Sequence, residues 1–168
     1  MSRHMIAYDL EPGRFNFRAG ALILRDGHVL AGRTSTETIW YPPGGRVEWG
    51  ESTRAAVERE VVEELGVAGD VGELAIVLES FFTYRDKRFH ELAYYYPVTL
   101  PGDFPFRDDG ELCHRGRDGE ADLEFKWLRA NAESLRAGAF YPVALHNELS
   151  AVPGGVKHLI WVDGEGIQ

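Results

Sequence analysis

A chain of 168 residues is the size of one domain, able to bury about two-thirds of its unfolded surface in a single core. Its net charge of −9, from 18 basic and 27 acidic residues, argues against a broad nucleic-acid footprint but leaves room for a small polyanion held through a divalent cation. No apolar run approaches the ~20 residues of a membrane span, and the first residues lack the apolar core of a secretory leader, so the expected location is cytoplasmic.

In chain order, residues 15–25 (FNFRAGALILR) read as a strand that turns at Asp26-Gly27 into an antiparallel partner, HVLAGR. Residues 40–45 (WYPPGG) form a rigid turn, and the spacing then predicts a helix over 52–65. Ser52 or Glu51 starts it, with Thr53 as a competing cap, and Gly66 stops it. Residues 71–84 and 88–100 read as two long strands joined by a basic turn, Arg85 to Arg88. Residues 101–121 mix Gly, Pro and charge without period and read as a long loop, with a short strand over 122–128. Helical segments over 131–137 and 142–150 and a closing strand, HLIWV, complete an α/β chain with a mixed sheet covered by helices on both faces.

The helix carries the chemistry. At ~100° per residue, Glu60, Glu63 and Glu64 share one face within a single turn, while Val57, Val61 and Leu65 form an adjacent apolar ridge. Three crowded carboxylates ask for a cation, and hard oxygen donors suit Mg²⁺ or Mn²⁺. Elsewhere the structural reading outweighs the functional one. Cys113 is the only cysteine, which excludes an internal disulfide, and its loop setting makes it a poor nucleophile. His90-Glu91 lacks the second histidine of a zinc helix, Tyr94, Tyr95 and Tyr96 suit the alternating faces of a buried strand, and Arg85, Lys87 and Arg88 suit a solvated turn.

Residues 45–67, GRVEWGESTRAAVEREVVEELGV, resemble the signature box of the Nudix hydrolases at every fixed position, Gly45, Glu51, Arg59, Glu60, Val61, Glu63, Glu64, Gly66 and Val67. The resemblance implies one Nudix domain over 1–168, an α/β/α sandwich that uses Mg²⁺ or Mn²⁺ to hydrolyse a diphosphate linkage in a small-molecule nucleotide. It also implies that Glu60 and Glu64 hold the metal, joined by the Gly44 carbonyl, with Glu63 as a further ligand or as a partner of Arg59. Arg59 is expected to hold the glutamates, through Glu51. The general base implied is Glu60 or a loop carboxylate, for which Glu120, seven residues before Trp127, ranks above Glu111 and Glu124. Tyr84, 17 residues after Val67, resembles a tyrosine of the dinucleoside polyphosphate hydrolases, which places Tyr84 and Arg85 as candidate substrate contacts. The rival reading is a Nudix-fold nucleotide sensor without turnover, and hydrolysis of RNA 5′ ends ranks lower because of the acidic charge. Homodimers are common in the family, and no sequence feature decides the matter here.

Overall fold

The computed structural model describes residues 4–152, 154–164 and 166–167. Strands β1 (Ala7–Leu10), β2 (Gly13–Leu22), β7 (Ile76–Tyr84), β8 (Lys87–Thr99), β11 (Lys157–Val162) and β12 (Gly166–Ile167) form the main sheet in the order β1-β2-β8-β7-β11-β12. Two short strands join it at the side, β5 (Gly44–Arg46) on β2 and β6 (Asp70–Val71) on β8. The sheet is mixed, because β2 runs parallel to β8 and β11 parallel to β7, while β7 and β8 are antiparallel.

A second sheet departs from the single sheet expected. It runs β3 (Leu24–Arg25), β4 (His28–Thr34), β10 (Ala121–Arg129), β9 (Leu112–Asp118). The turn at Asp26 and Gly27 forms, both residues having positive φ (47° and 73°), but it joins β4 only to the two residues of β3. The long strand before it belongs to the main sheet, and the chain changes sheets at Ile23, whose carbonyl still accepts from Leu30 N–H.

Period-2 alternation then sorts the strands between two cores. Ala19, Ala21 and Ile23 of the first strand run, with Tyr96 and Val98 of β8, pack under helix α1 (Thr53–Leu65) through Val57, Val61 and Leu65. Leu22, Ala93, Tyr95, Ile76 and Leu78 face the other way, onto Leu135 of helix α2 (Ala132–Ala137) and Ala144 and Leu145 of a 3₁₀ turn (Val143–Leu145). The tyrosine run thus alternates as its sequence suggests, and Tyr96 Oη lies 2.7 Å from Thr53 Oγ1 at the start of α1.

The caps of α1 match their chemistry. Ser52 accepts from Ala55 N–H, and Gly66, at φ 72°, closes the C-terminus in the left-handed region with its N–H on the Val62 carbonyl. Other expectations are corrected. The basic turn is a two-residue type, Arg85 (φ 48°) and Asp86 (φ 61°), with Lys87 and Arg88 already in β8. Residues 101–121 are not one loop, since β9 occupies the second half and carries Cys113, half-buried in a strand. Residues 101–111 are tied down by Arg25, which donates to the carbonyls of Phe104 and Pro101, and by the Trp127 indole, which donates to that of Pro105. Pro142 caps only the 3₁₀ turn, not a full helix over 142–150.

Candidate active site

The cleft is assembled where β5 crosses from β2 to α1. Gly44 pairs with Gly20, and its φ of 142° together with a Cβ position only 2.3 Å from the Ala19 carbonyl oxygen leaves room for glycine alone. At Gly45 a Cβ would lie 2.3 Å from Glu60 Oε1, so the missing side chain is what lets the Glu60 carboxylate lie against the β5 backbone. The result is a cleft of about 300 Å³ whose lining includes Arg18, Gly44, Glu60, Glu63, Glu64 and Asp118.

Arg59 organises its acidic wall. The guanidinium donates to Glu51 through Nε (2.8 Å) and Nη2 (3.0 Å), to Glu60 through Nη1 (2.7 Å), to the Arg46 carbonyl (3.2 Å) and, at longer range, to Glu63 (3.3 Å). Glu51 in turn accepts from Glu48 N–H, so one arginine ties the turn before the helix to the helix face. The Glu51 bonds hold the guanidinium firmly protonated against the opposing cost of burial, and Glu60 adds to them.

Glu64 is held from the other side, accepting from Gly44 N–H at 3.1 Å. Burial, then the neighbouring Glu60, pushes its carboxyl up to about 8, with the Gly44 bond and Arg18 opposing. Burial also raises Glu60, against the pull of Arg59. Asp118, at the tip of β9, adds negative field to both. Arg18 is half-buried, and the charges around it, Glu91 first and then Tyr95, Glu64 and Glu60, outweigh the cost of burial and keep it protonated. Its Nη2 donates to the Gly44 carbonyl at 3.1 Å.

This donor set suits a hard divalent cation. Among the described residues no three acidic, His or Cys side chains are grouped as a ready metal site. The cleft instead offers the carboxylates of Glu60, Glu63 and Glu64 and the Gly44 carbonyl, an open arrangement of the sort Mg²⁺ uses, with few protein ligands and the rest from water and phosphate.

The other expected residues fall apart from this cluster. Glu120 is exposed in the two-residue turn between β9 and β10 and does not line the cleft, whereas Asp118, two residues earlier, does. Glu124 is committed to Arg33 (3.0 and 3.2 Å), and Glu111 is exposed. Tyr84 donates weakly to Glu37 (3.4 Å) and lines a neighbouring cavity, and the exposed Arg85 lies over its ring at 5.1 Å. Cys113 is unsuited to nucleophilic work, because burial pushes its thiol up.

That neighbouring cavity, about 560 Å³, shares Arg18, Tyr41, Pro42 and Gly44 with the cleft. Arg18 and Asp118 escape sequence reading because they lie far from the box in the chain. The antiparallel β2–β5 pairing brings in the first, and the β9–β10 hairpin carries the second.

The mixed sheet, the carboxylate-bearing helix and the glycine turn before it are the parts that the resemblance in residues 45–67 implies. The chain belongs to the Nudix family: the model of the NUDIX domain matches residues 14–139. A putative nudix hydrolase of Caenorhabditis elegans is 37% identical over 133 residues, covering 74% of this chain and 33% of that protein. The CTP pyrophosphohydrolase of Escherichia coli K12 is 42% identical over 57 residues, covering 32% and 42%. The chain therefore spans less than half the length of these curated relatives. Among solved structures, the MutT Nudix hydrolase of Burkholderia pseudomallei aligns with a TM-score of 0.53 at 26% identity, over 69% of this chain and 84% of that one.

Proposed function

We propose that residues 1–168 form one catalytic domain that hydrolyses a diphosphate linkage in a small-molecule nucleotide with the help of Mg²⁺ or Mn²⁺. The observation that carries this reading is the junction of two spaces, a carboxylate-walled cleft and a larger aromatic cavity that meet at Arg18 and Gly44. A phosphate chain fits the first and a nucleoside the second, with the scissile bond at the junction.

Glu60, Glu63, Glu64 and the Gly44 carbonyl would hold the cation. When bound, it supplies charge neutralisation of the phosphoryl oxygens and a water acidified for in-line attack. The remaining roles belong to the chain. Arg59 fixes the glutamates in place through Glu51, a supporting bond of the kind that orients ligands. Arg18 presents its guanidinium to a phosphate from beneath the Gly44 turn. The proton leaving water goes to a carboxylate on the cleft wall, and Asp118 joins Glu60 as a candidate because it faces the cleft, while Glu120 needs a shift of the hairpin to reach it. The domain would act in the cytoplasm. Among the described residues no helix is long and apolar enough to cross a membrane.

Incubation with a panel of nucleoside triphosphates, nucleotide sugars and dinucleoside polyphosphates, with Mg²⁺ or Mn²⁺ and with EDTA, tests the proposal through released phosphate or pyrophosphate. Turnover that requires the cation and drops at least about 100-fold in Glu64→Gln supports it. A panel that is wholly inert, or a Glu64→Gln variant at full rate, refutes it. Binding of a nucleotide without turnover would instead favour the sensor reading.

A further inference from the structure

The floor of the aromatic cavity is one face of the main sheet, and its residues come in register. Asn16 of β2 stands beside Glu91 of β8, and Ser80 of β7 lies on the other side of Glu91. One row toward the hairpin, Phe89 and Phe82 pair across the same strands with their rings stacked at 5.0 Å and 5°. In the opposite direction the row is Arg18, Ala93 and Leu78, and beyond it the Tyr95 ring lies over Gly20.

Glu91 is the anomaly in this floor. It is half-buried in the cavity-facing row of a sheet, where the charge of Arg18 in the same cavity balances its own, yet among the described residues no cation comes within ion-pair distance of it. Its one hydrogen bond is from Asn16 Nδ2 to Oε2, at 3.3 Å. Asn16 is 8% exposed and is itself fixed, since its Oδ1 accepts from Arg14 Nε at 3.0 Å, which settles which end of the amide faces Glu91. The chain Arg14 to Asn16 to Glu91 thus braces a carboxylate and leaves Oε1 with no partner among the described residues. A half-buried carboxylate with spare acceptor capacity is costly unless something donates to it.

Resting on the proposed function above, we infer that Glu91 is the specificity-determining residue for the base, and accepts a hydrogen bond from an exocyclic amino group. Cytosine and adenine offer such a group on the edge that would enter the cavity, and guanine offers one with its ring N–H. Uracil, thymine and hypoxanthine present a carbonyl oxygen in the place of the cytosine or adenine amine, and its lone pairs would meet those of the carboxylate. The Phe82 and Phe89 rings supply the stacking surface, which every base shares, so the polar discrimination falls to Glu91.

The test uses matched pairs that differ at the amino position, CTP against UTP and ATP against ITP. The wild-type chain is expected to show a kcat/KM at least about tenfold higher for the amino member of a pair. Glu91→Gln is expected to bring that ratio within about threefold, because an amide can turn either its oxygen or its NH₂ to the base. The change should come from faster use of the oxo member as well as slower use of the amino one, a pattern that loss of structure cannot give. If Glu91→Gln fails to fold, Glu91→Asp, which keeps the charge but withdraws it by one methylene, should lower the ratio in the same direction. Equal rates within the wild-type pairs, or an unchanged ratio in the variant, overturn the inference and leave the proposed function standing. If neither pair is turned over the inference falls, and the proposed function falls with it only when the rest of the panel is also inert.

Discussion

Gly116 controls how closely the β9–β10 hairpin approaches helix α1, and replacing it with alanine should loosen the candidate site from behind. A Cβ at this position would lie 1.9 Å from the carbonyl oxygen of Glu64, in the last turn of α1. Carbon and oxygen come no nearer than about 3.3 Å in ordinary contact, so β9 has to retreat by about 1.4 Å. It can do so because it is an edge strand, paired among the described residues with β10 alone. The retreat strips contacts from the buried side of α1 and carries Asp118, two residues on, away from Glu60 and Glu64. Strain and lost packing of this kind cost about 2 kcal/mol. For a chain of this size that lowers Tm by about 4–8 °C. Urea titration and thermal melting of Gly116→Ala beside Gly102→Ala, whose Cβ would meet nothing within 4 Å, measure the difference. If the two variants melt together, the close approach of β9 to α1 is not a constraint and the reasoning fails. Wild-type kcat in a Gly116→Ala protein that melts lower would separate stability from the placing of Asp118.

Arg59→Lys keeps the charge but cannot serve Glu51, Glu60 and the Arg46 carbonyl together. It should lose about 2 kcal/mol in urea titrations and bind Mn²⁺ at least about tenfold more weakly by calorimetry, and unchanged Mn²⁺ affinity would deny Arg59 its positioning role. In cation-free buffer, the Glu64 carboxyl titrates near 8 in the folded chain against 4.5 in the ordinary state, so its contribution favours folding at acid pH and is lost as pH rises toward 8 at about 1.4 kcal/mol per pH unit. Between pH 5.5 and 7.5 in EDTA this amounts to about 3 kcal/mol, which Glu64→Gln should abolish, and a wild-type chain equally stable at both pH values contradicts the assigned burial. Asp118→Asn should lower kcat more than Glu120→Gln does, as steady-state rates at saturating Mg²⁺ will show, and the reverse order would return the base to the hairpin turn.

What could be read in the sequence was local. Ser52 and Gly66 mark the helix because capping is decided within a few residues, and Glu60, Glu63 and Glu64 share a face because helical period is fixed. The Asp26-Gly27 and Arg85-Asp86 turns bring their strands together for the same reason, although the first joins a much shorter pair than its flanking residues suggest. Strand β9, LCHRGRD, was hidden. Its burial rests on Gly116, a residue that signals breaks, and its charged residues belong to an edge facing water. Arg18, Asn16 and Glu91 were equally hidden as a group, because a parallel pairing between β2 and β8 is set by tertiary packing and leaves no short-range mark. The helix between 142 and 150 failed for a related reason, since Ala144, Leu145 and Leu149 look like a helical stripe but are buried from a chain of turns.

Strand β2 has one further consequence, for how such an enzyme can diverge. Its odd positions, Ala19 and Ala21, lie beneath helix α1, and its even positions, Asn16 and Arg18, face the larger cavity. A change at Asn16 can therefore alter the floor of that cavity while the packing of α1 over the sheet stays in place. An insertion or deletion of one residue would exchange the two sets and ruin both at once. The cavity floor is thus open to single substitutions along this strand, whereas changes of length are confined to its ends.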